Sequence, residues 1–241
     1  EKSSAAARPT LAGLALTSSL RVRRMAWWSR TRVVYAIGRN YVAHAHELNN
    51  PVPKAPFWFI KPASSIIGSG TPHQLAPGAT DTHHELELGV VIGRRATRVK
   101  AADAMAHVGG YCLALDMTDR GAQDAAKKAG KPWAAAKGWD TSCPVSEMVP
   151  AAAVADPSSL DMWLRVNGEA APRQSGSTGL MIFGVPALVE AVSRVHTLEE
   201  GDLLLTGTPE GVGPVGPGDV ITAGIDSLGL SLTVPVVAAP S

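Results

Sequence analysis

From residue 32 onward the chain alternates short apolar runs with Gly- and Pro-rich breaks. RVVYAIGRNY reads as a strand over residues 32–37 stopped at Gly38, and PFWFIKP reads as another. Between them, YVAHAHELNN has the spacing of one or two helical turns, closed by the breaker cluster Asn49-Asn50-Pro51. HHELELGVVIG and GGYCLALDM are longer apolar strand runs, and the second terminates at Asp116. DRGAQDAAKKAGKP has helical composition and ends at Gly130 and Pro132. MWLRVNGE predicts a strand running into Asn167-Gly168, a two-residue hairpin signal because both residues tolerate positive φ. Pro186 sits where a first helical position belongs, opening PALVEAVSRV. TLEEGDLLLTGTPEGVGPVGPGD and two closing strands complete the chain. Many short strands with few helices predict a β-rich α+β domain over residues 32–241, not a doubly wound sheet.

Inside HHELELGVVIG the alternation carries chemistry. Residues i and i+2 of a strand share a face, so Leu86, Leu88, Val90 and Ile92 form a core face. Glu85 and Glu87 then point together to the other side. A solvated strand face is the plain alternative. Against it, the neighbours on that face are Gly89 and Val91, not the lysines and threonines of exposed strands. Two like charges this close repel unless a cation sits between them. Asp116, at the tip of YCLALD, supplies a third carboxylate, and an all-oxygen trio suits a hard cation such as Mg²⁺ or Mn²⁺. His83 and His84 raise zinc, but no second His or Cys cluster has zinc-ligand spacing. His84 is expected to pack or hydrogen-bond beside the site.

Composition narrows the class. With 45% apolar and 18% charged residues among 241, the chain is an ordinary globular one. A net charge of +1 gives no field to draw nucleic acid or a membrane surface, and no apolar run reaches membrane-span length. Cys112 and Cys143 lie in no metal or redox spacing and fit a reducing compartment. These features predict a soluble intracellular protein. The N-terminal stretch differs: no acid lies between Glu1 and Glu47, whereas Lys2, Arg8, Arg21, Arg23, Arg24, Arg30, Arg32 and Arg39 do. That Arg-rich, Ser-rich, acid-free text reads as a mitochondrial transit peptide over residues 1–31. The alternative is an untidy extension on a cytoplasmic protein.

HHELELGVVIG, GGYCLALDMT, AKGWDTSCPVS, VNGE, MIFGVP and LEEGDLLLTGTPEGVGPV, in this order, resemble the fumarylacetoacetate hydrolase family. The likeness covers the chain after the N-terminal extension and is closest to the short, single-domain branch, which includes mitochondrial acylpyruvate hydrolases and oxaloacetate decarboxylases. It implies a mixed β-sheet roll with few helices and a short lid helix. It implies that Glu85, Glu87 and Asp116 bind Mg²⁺, the trio already singled out by charge. It also implies a His-x-x-Glu dyad at His44 and Glu47, in the lid segment GRNYVAHAHEL. At i and i+3 on a helix these side chains meet, so the glutamate can orient the imidazole as a base near neutral pH. A surface link on an exposed helix is the bland reading, and His46 is a rival with no matched role.

Lys137, isolated in AAAKGWD, is implied to face the site, where its ammonium stabilises developing negative charge. A snorkelling surface lysine is its alternative. The resemblance places Arg39, Gln123, Gly207 and Thr208 on the substrate, the last two in the turn TGTP. One departure concerns Arg120: it is followed by Gly121 where this branch commonly has an acid, and preceded by Asp119. The activity implied is C–C cleavage of a small 2-oxo acid through a metal-bound pyruvate enolate. Acylpyruvate hydrolysis and oxaloacetate decarboxylation share that enolate. Oxaloacetate keto–enol tautomerisation is the enzymatic alternative, and a non-catalytic metal-binding scaffold is the alternative of another class. A homodimer is implied, with neither nucleic acid nor membrane as partner.

Overall fold

The computed structural model describes residues 26–239. The expected transit peptide lies outside these residues except for its last few. Residues 26–31 dock on the body: Trp27 Nε1 donates to the Ser146 carbonyl at 3.0 Å and the Thr31 hydroxyl to the Gly201 carbonyl at 2.7 Å.

The main sheet runs in the order Trp58–Pro62, Val33–Ile37, Leu203–Leu205, Leu86–Ile92, Val108–Leu115, Cys143–Val145, Ile66–Gly68, with Val149–Pro150 also on Val108–Leu115. It is mixed. Val33–Ile37 is parallel to Leu203–Leu205 and Ile66–Gly68 to Cys143–Val145, while the central pairs are antiparallel. A second sheet orders Gln174–Ser177, Asp161–Val166, Val220–Ile225, Leu230–Val237 and His73–Gln74. A third, small sheet joins Gly213–Val215, Thr82–His84 and Thr118–Asp119. The β-rich α+β class and the mixed-sheet roll therefore stand.

The larger core lies between the first two sheets. Leu86, Leu88, Val90 and Ile92 meet Leu113 and Leu115 there, together with Met162, Leu164, Ile221 and Val234. Helix Val185–Ser193 closes that layer with Leu188, Val189 and Val192, and it carries Pro186 in its first turn. The opposite face of the main sheet is buried too, by Val34, Val91, Cys112, Leu203 and Leu205 under Trp27 and Trp28. Central strands buried on both faces explain why LGVVI and CLAL read as continuous apolar runs.

The expected local signals appear. Asn167 and Gly168 both take positive φ (53° and 69°) in a turn closed by Glu169 N–H to the Val166 carbonyl at 3.1 Å. Asp119 caps helix Arg120–Lys128 by accepting from the Ala122 N–H at 3.1 Å. One element differs. HHELELGVVIG is two strands, Thr82–His84 and Leu86–Ile92, in different sheets and broken at Glu85. The cause is the Gln174 side chain, whose Oε1 accepts from the Leu86 N–H at 2.9 Å and also meets His84 Nδ1 at 2.9 Å. That carbonyl takes the place of a ladder partner, and the chain turns from one sheet into the next.

Candidate active site

Two chain segments cross from the main sheet to the small sheet side by side, one at Glu85 and the other at Asp116. The Asp116 N–H donates to the Glu85 carbonyl at 2.9 Å and ties the crossings together. Glu87 stands two residues further on, opposite Ala114. All three carboxylates are buried, and one ligand oxygen from each lies within 4.8 Å of the others. All three line one cavity.

Three cationic side chains surround the trio. Lys137 Nζ donates to Glu85 Oε2 at 2.8 Å, Asp116 Oδ2 at 2.7 Å and the Thr118 hydroxyl at 2.6 Å. Lys61 Nζ donates to Asp116 Oδ1 at 2.7 Å, and Arg120 Nη2 to Glu85 Oε1 at 2.6 Å. Glu87 has no such partner and accepts from the Gly207 N–H. Burial pushes the Glu87 carboxyl well above the usual range, and the charges of Asp116 and Glu85 push it further. Burial also acts against ionised Glu85, but Lys137 and Arg120 outweigh it and hold that carboxyl low. Burial disfavours the charged Lys137, yet Asp116 and Glu85 prevail and raise it.

A divalent cation fits this set. The donors are all oxygens, and two of the three carboxylates are already bridged by a cation, the Lys137 ammonium. The one without a cationic partner is forced toward its neutral form by the others. The site is built for a positive charge it lacks at Glu87.

The helix expected to be the lid, Val42–Glu47, contributes His44 to the cavity wall. His44 is buried and its Nδ1 meets Glu47 Oε2 at 3.1 Å, while Glu47 Oε1 accepts from the Gly211 N–H at 2.9 Å. The dyad pairs as expected from its spacing, and Glu47 also fastens the lid to the loop after TGTP. His46 is exposed. With Nδ1 engaged, the His44 Nε2 is the nitrogen left for chemistry, and His44 lines the same cavity as the carboxylates.

Arg39, Gln123 and Thr208 line this cavity as well. Gln123 Oε1 accepts from Arg120 Nη1 at 3.0 Å, and the Thr208 hydroxyl accepts from Gln174 Nε2 at 2.8 Å, which leaves its own proton free to donate. The Gly207 N–H is committed to Glu87, so this amide serves the carboxylate trio here. Gly207 has φ +94°, and a Cβ would lie 2.7 Å from that of Asn40, so the close turn requires glycine. His84 hydrogen-bonds beside the site, to Gln174. Among the described residues the cluster that could hold a metal is the three carboxylates, with neither His nor Cys in it.

Sequence reasoning passed over Lys61 and Gln174, and noted Arg120 only as a departure from the family pattern. Lys61 had a signal: in WFIKP the strand alternation is inverted, with Ile60 41% exposed and Lys61 fully buried. Arg120 turns inward because Asp119 is spent on the helix cap. Gln174, whose side chain contacts His84, Leu86, Thr208 and Pro209, comes from an unremarkable polar stretch. The cavity has a volume of about 40 Å³, room for a few waters at roughly 10–15 Å³ each. A three-carbon acid enters only after Lys137 or the lid moves.

The sheet crossing, the buried carboxylates and the His44–Glu47 dyad point to one family. Residues 33–237 match the one described as "Fumarylacetoacetate (FAA) hydrolase C-terminal", and the chain belongs to it. Among its relatives, the oxaloacetate tautomerase FAHD1, mitochondrial, of Oryza sativa subsp. japonica is 53% identical over 198 residues, 81% of this chain and 85% of that protein. The oxaloacetate decarboxylase, mitochondrial, of Dictyostelium discoideum is 47% identical, covering 84% of this chain and 92% of that protein. The crystal structure of fumarylpyruvate hydrolase from Pseudomonas aeruginosa in complex with Mn²⁺ and pyruvate superposes with a TM-score of 0.80. It shares 38% identity and covers 86% of this chain and 90% of that one.

Proposed function

We propose that the protein is a divalent-cation-dependent enzyme that cleaves a C–C bond in small 2-oxo acids, by acylpyruvate hydrolysis, oxaloacetate decarboxylation or both. The observation that carries this reading is the meeting of the carboxylate trio, the His44–Glu47 dyad and Lys137 in one cavity. Glu85, Glu87 and Asp116 would hold Mg²⁺ or Mn²⁺, which when bound supplies a Lewis acid for the 2-oxo acid end. Gln123 and the Thr208 hydroxyl would orient the carboxylate of the 2-oxo acid end, and Arg39 would meet the substrate on the wall away from the trio. Glu47 fixes the His44 ring through Nδ1, so Nε2 takes a proton from water. Hydroxide adds to the distal carbonyl of an acylpyruvate. The C–C bond then breaks, its electron pair passes to the pyruvate enolate, and the imidazolium returns a proton. Lys137, turned from Glu85 and Asp116, neutralises the enolate as it forms. Oxaloacetate loses CO₂ to give the same enolate without a water nucleophile.

Oxaloacetate keto–enol tautomerisation is the second reading, favoured by the 53% identity to the rice tautomerase. It needs His44 only to move a proton between carbon and solvent. A panel of acetylpyruvate and oxaloacetate with Mg²⁺ or Mn²⁺ separates the three, following pyruvate release, CO₂ and keto–enol absorbance independently. Pyruvate or CO₂ release supports cleavage. Absorbance change alone supports the tautomerase, and inertness toward both acids overturns the enzymatic reading in favour of a scaffold.

We propose the mitochondrion as the location, supported by the acid-free, Arg-rich stretch and by the mitochondrial names of the relatives. No helix among the described residues is long and apolar enough to cross a membrane. A homodimer is proposed from the family resemblance and is checked by light scattering of the purified protein.

A further inference from the structure

A second, open groove of about 460 Å³ adjoins the cavity and is lined by Arg39, Phe57, Trp58, Phe59, Lys131 and Trp133, with Pro132 between the last two. Four of these side chains, Arg39, Phe57, Phe59 and Trp133, also line the carboxylate cavity, so the two spaces share a wall. The aromatic rings are mutually braced: Trp133 meets Phe57 and Phe59 edge to face, at centroid distances of 6.3 and 5.6 Å. Phe57 is seated on Gly38, where a Cβ would lie 2.2 Å from its ring. Arg39 adopts φ 55°, and its guanidinium stands 5.5 Å over the Phe57 ring. It is half-buried with no carboxylate at ion-pair distance among the described residues, and nothing offsets its desolvation. Lys131 adds a second cation, exposed at the rim, and no acid lines the groove.

We propose that this groove is the subsite for the distal end of the substrate, with Phe57 and Trp133 gripping an extended carbon chain and Arg39 preferring a chain that ends in a carboxylate. The assignment rests on the 2-oxo acid reading above and adds the selection of the far end. The geometry divides the labour. Once Lys137 or the lid has moved, the trio takes the 2-oxo acid end in a space with little room for more, so the remainder of a longer substrate passes along the shared wall and the braced rings to the guanidinium. A partly desolvated arginine beside aromatic faces gains from a carboxylate both charge neutralisation and hydrogen bonds in its fork geometry.

The test is calorimetric titration of the Mn²⁺-saturated protein with 2-oxoadipate and 2-oxohexanoate. These acids have equal length and differ in the terminal carboxylate, and neither carries the 4-oxo group that hydrolysis needs. The protein is expected to bind 2-oxoadipate about tenfold more tightly, the size of one charge-assisted hydrogen bond at a half-exposed site. In Arg39→Asn, which keeps a residue tolerant of the left-handed backbone, that ratio should fall below threefold. In Trp133→Ala both acids should weaken together, by roughly tenfold, because the chain loses its aromatic wall. Equal affinities in the parent protein, failure of both acids to bind, or an unchanged ratio in Arg39→Asn would each overturn the subsite. Turnover of acetylpyruvate and oxaloacetate reports separately on the underlying chemistry, because neither extends far enough to need the groove.

Discussion

Replacing Glu87 by Gln separates folding from cation binding. Glu87 is 1% exposed, accepts from the Gly207 N–H, and has no cationic partner of its own among the described residues. Burial and the charges of Asp116 and Glu85 already drive it toward its neutral form. An amide of the same shape keeps the Gly207 contact, so cation-free stability should change by no more than about 0.5 kcal/mol, the size of a replacement that strands no partner. The cation behaves oppositely. Glu87 can ionise against a cation and Gln cannot, so in the variant a cation meets two carboxylates beside Lys61, Lys137 and Arg120. At a concentration 100 times its Kd, a cation stabilises the parent by about 2.7 kcal/mol. For a domain of this size that is a rise of roughly 5–11 °C in Tm. A 100-fold loss of affinity leaves RT ln 2, about 0.4 kcal/mol, or a rise of about 1–2 °C. Calorimetric melting of both proteins, with and without Mn²⁺, reads the two effects in one experiment. A cation-free Tm lowered by more than about 5 °C, or an Mn²⁺ shift retained in full, would refute the reasoning.

His44→Ala should lower acylpyruvate hydrolysis by about 10²–10⁴-fold while oxaloacetate decarboxylation falls far less, since only hydrolysis needs the activated water; parallel kcat/KM measurements decide. Gly207→Ala combines a left-handed φ with a 2.7 Å approach to Asn40. It should destabilise by about 1–3 kcal/mol, read as a drop in the urea midpoint at unchanged slope. His73 is buried with its pKa lowered to about 4, and its Nδ1–H donates to the Thr141 carbonyl at 2.9 Å. The native state holds it neutral while the unfolded chain takes up a proton below about 6.5. Stability present above that pH is therefore lost as pH falls toward 4, by up to about 1.4 kcal/mol per unit. His73→Asn should flatten that acid limb in a pH series of urea melts.

Local chemistry was legible wherever one segment decides it. Asn167-Gly168 makes its turn because both residues accept positive φ, and Asp119 caps the helix at its own start. His44 and Glu47 pair because three residues on a helix bring them together. The break at Glu85 was not legible, because its cause, Gln174, is 89 residues away and acts through a side-chain carbonyl. Arg120 was obscured for a related reason: what aims it is the distant Glu85.

The sequence alone determined the strand-rich class and the three acidic residues, since alternation and charge are properties of short stretches; the dyad was singled out by the family resemblance, with His46 as its rival. Tertiary structure decided what the trio faces. It delivered Lys61 and Lys137 to the same two carboxylates from separate elements, left Glu87 with an amide alone, and set an aromatic groove against the cavity wall. Those features depend on which sheet each strand joins, and pairings across long separations are set by burial of the whole core. No local pattern encodes them.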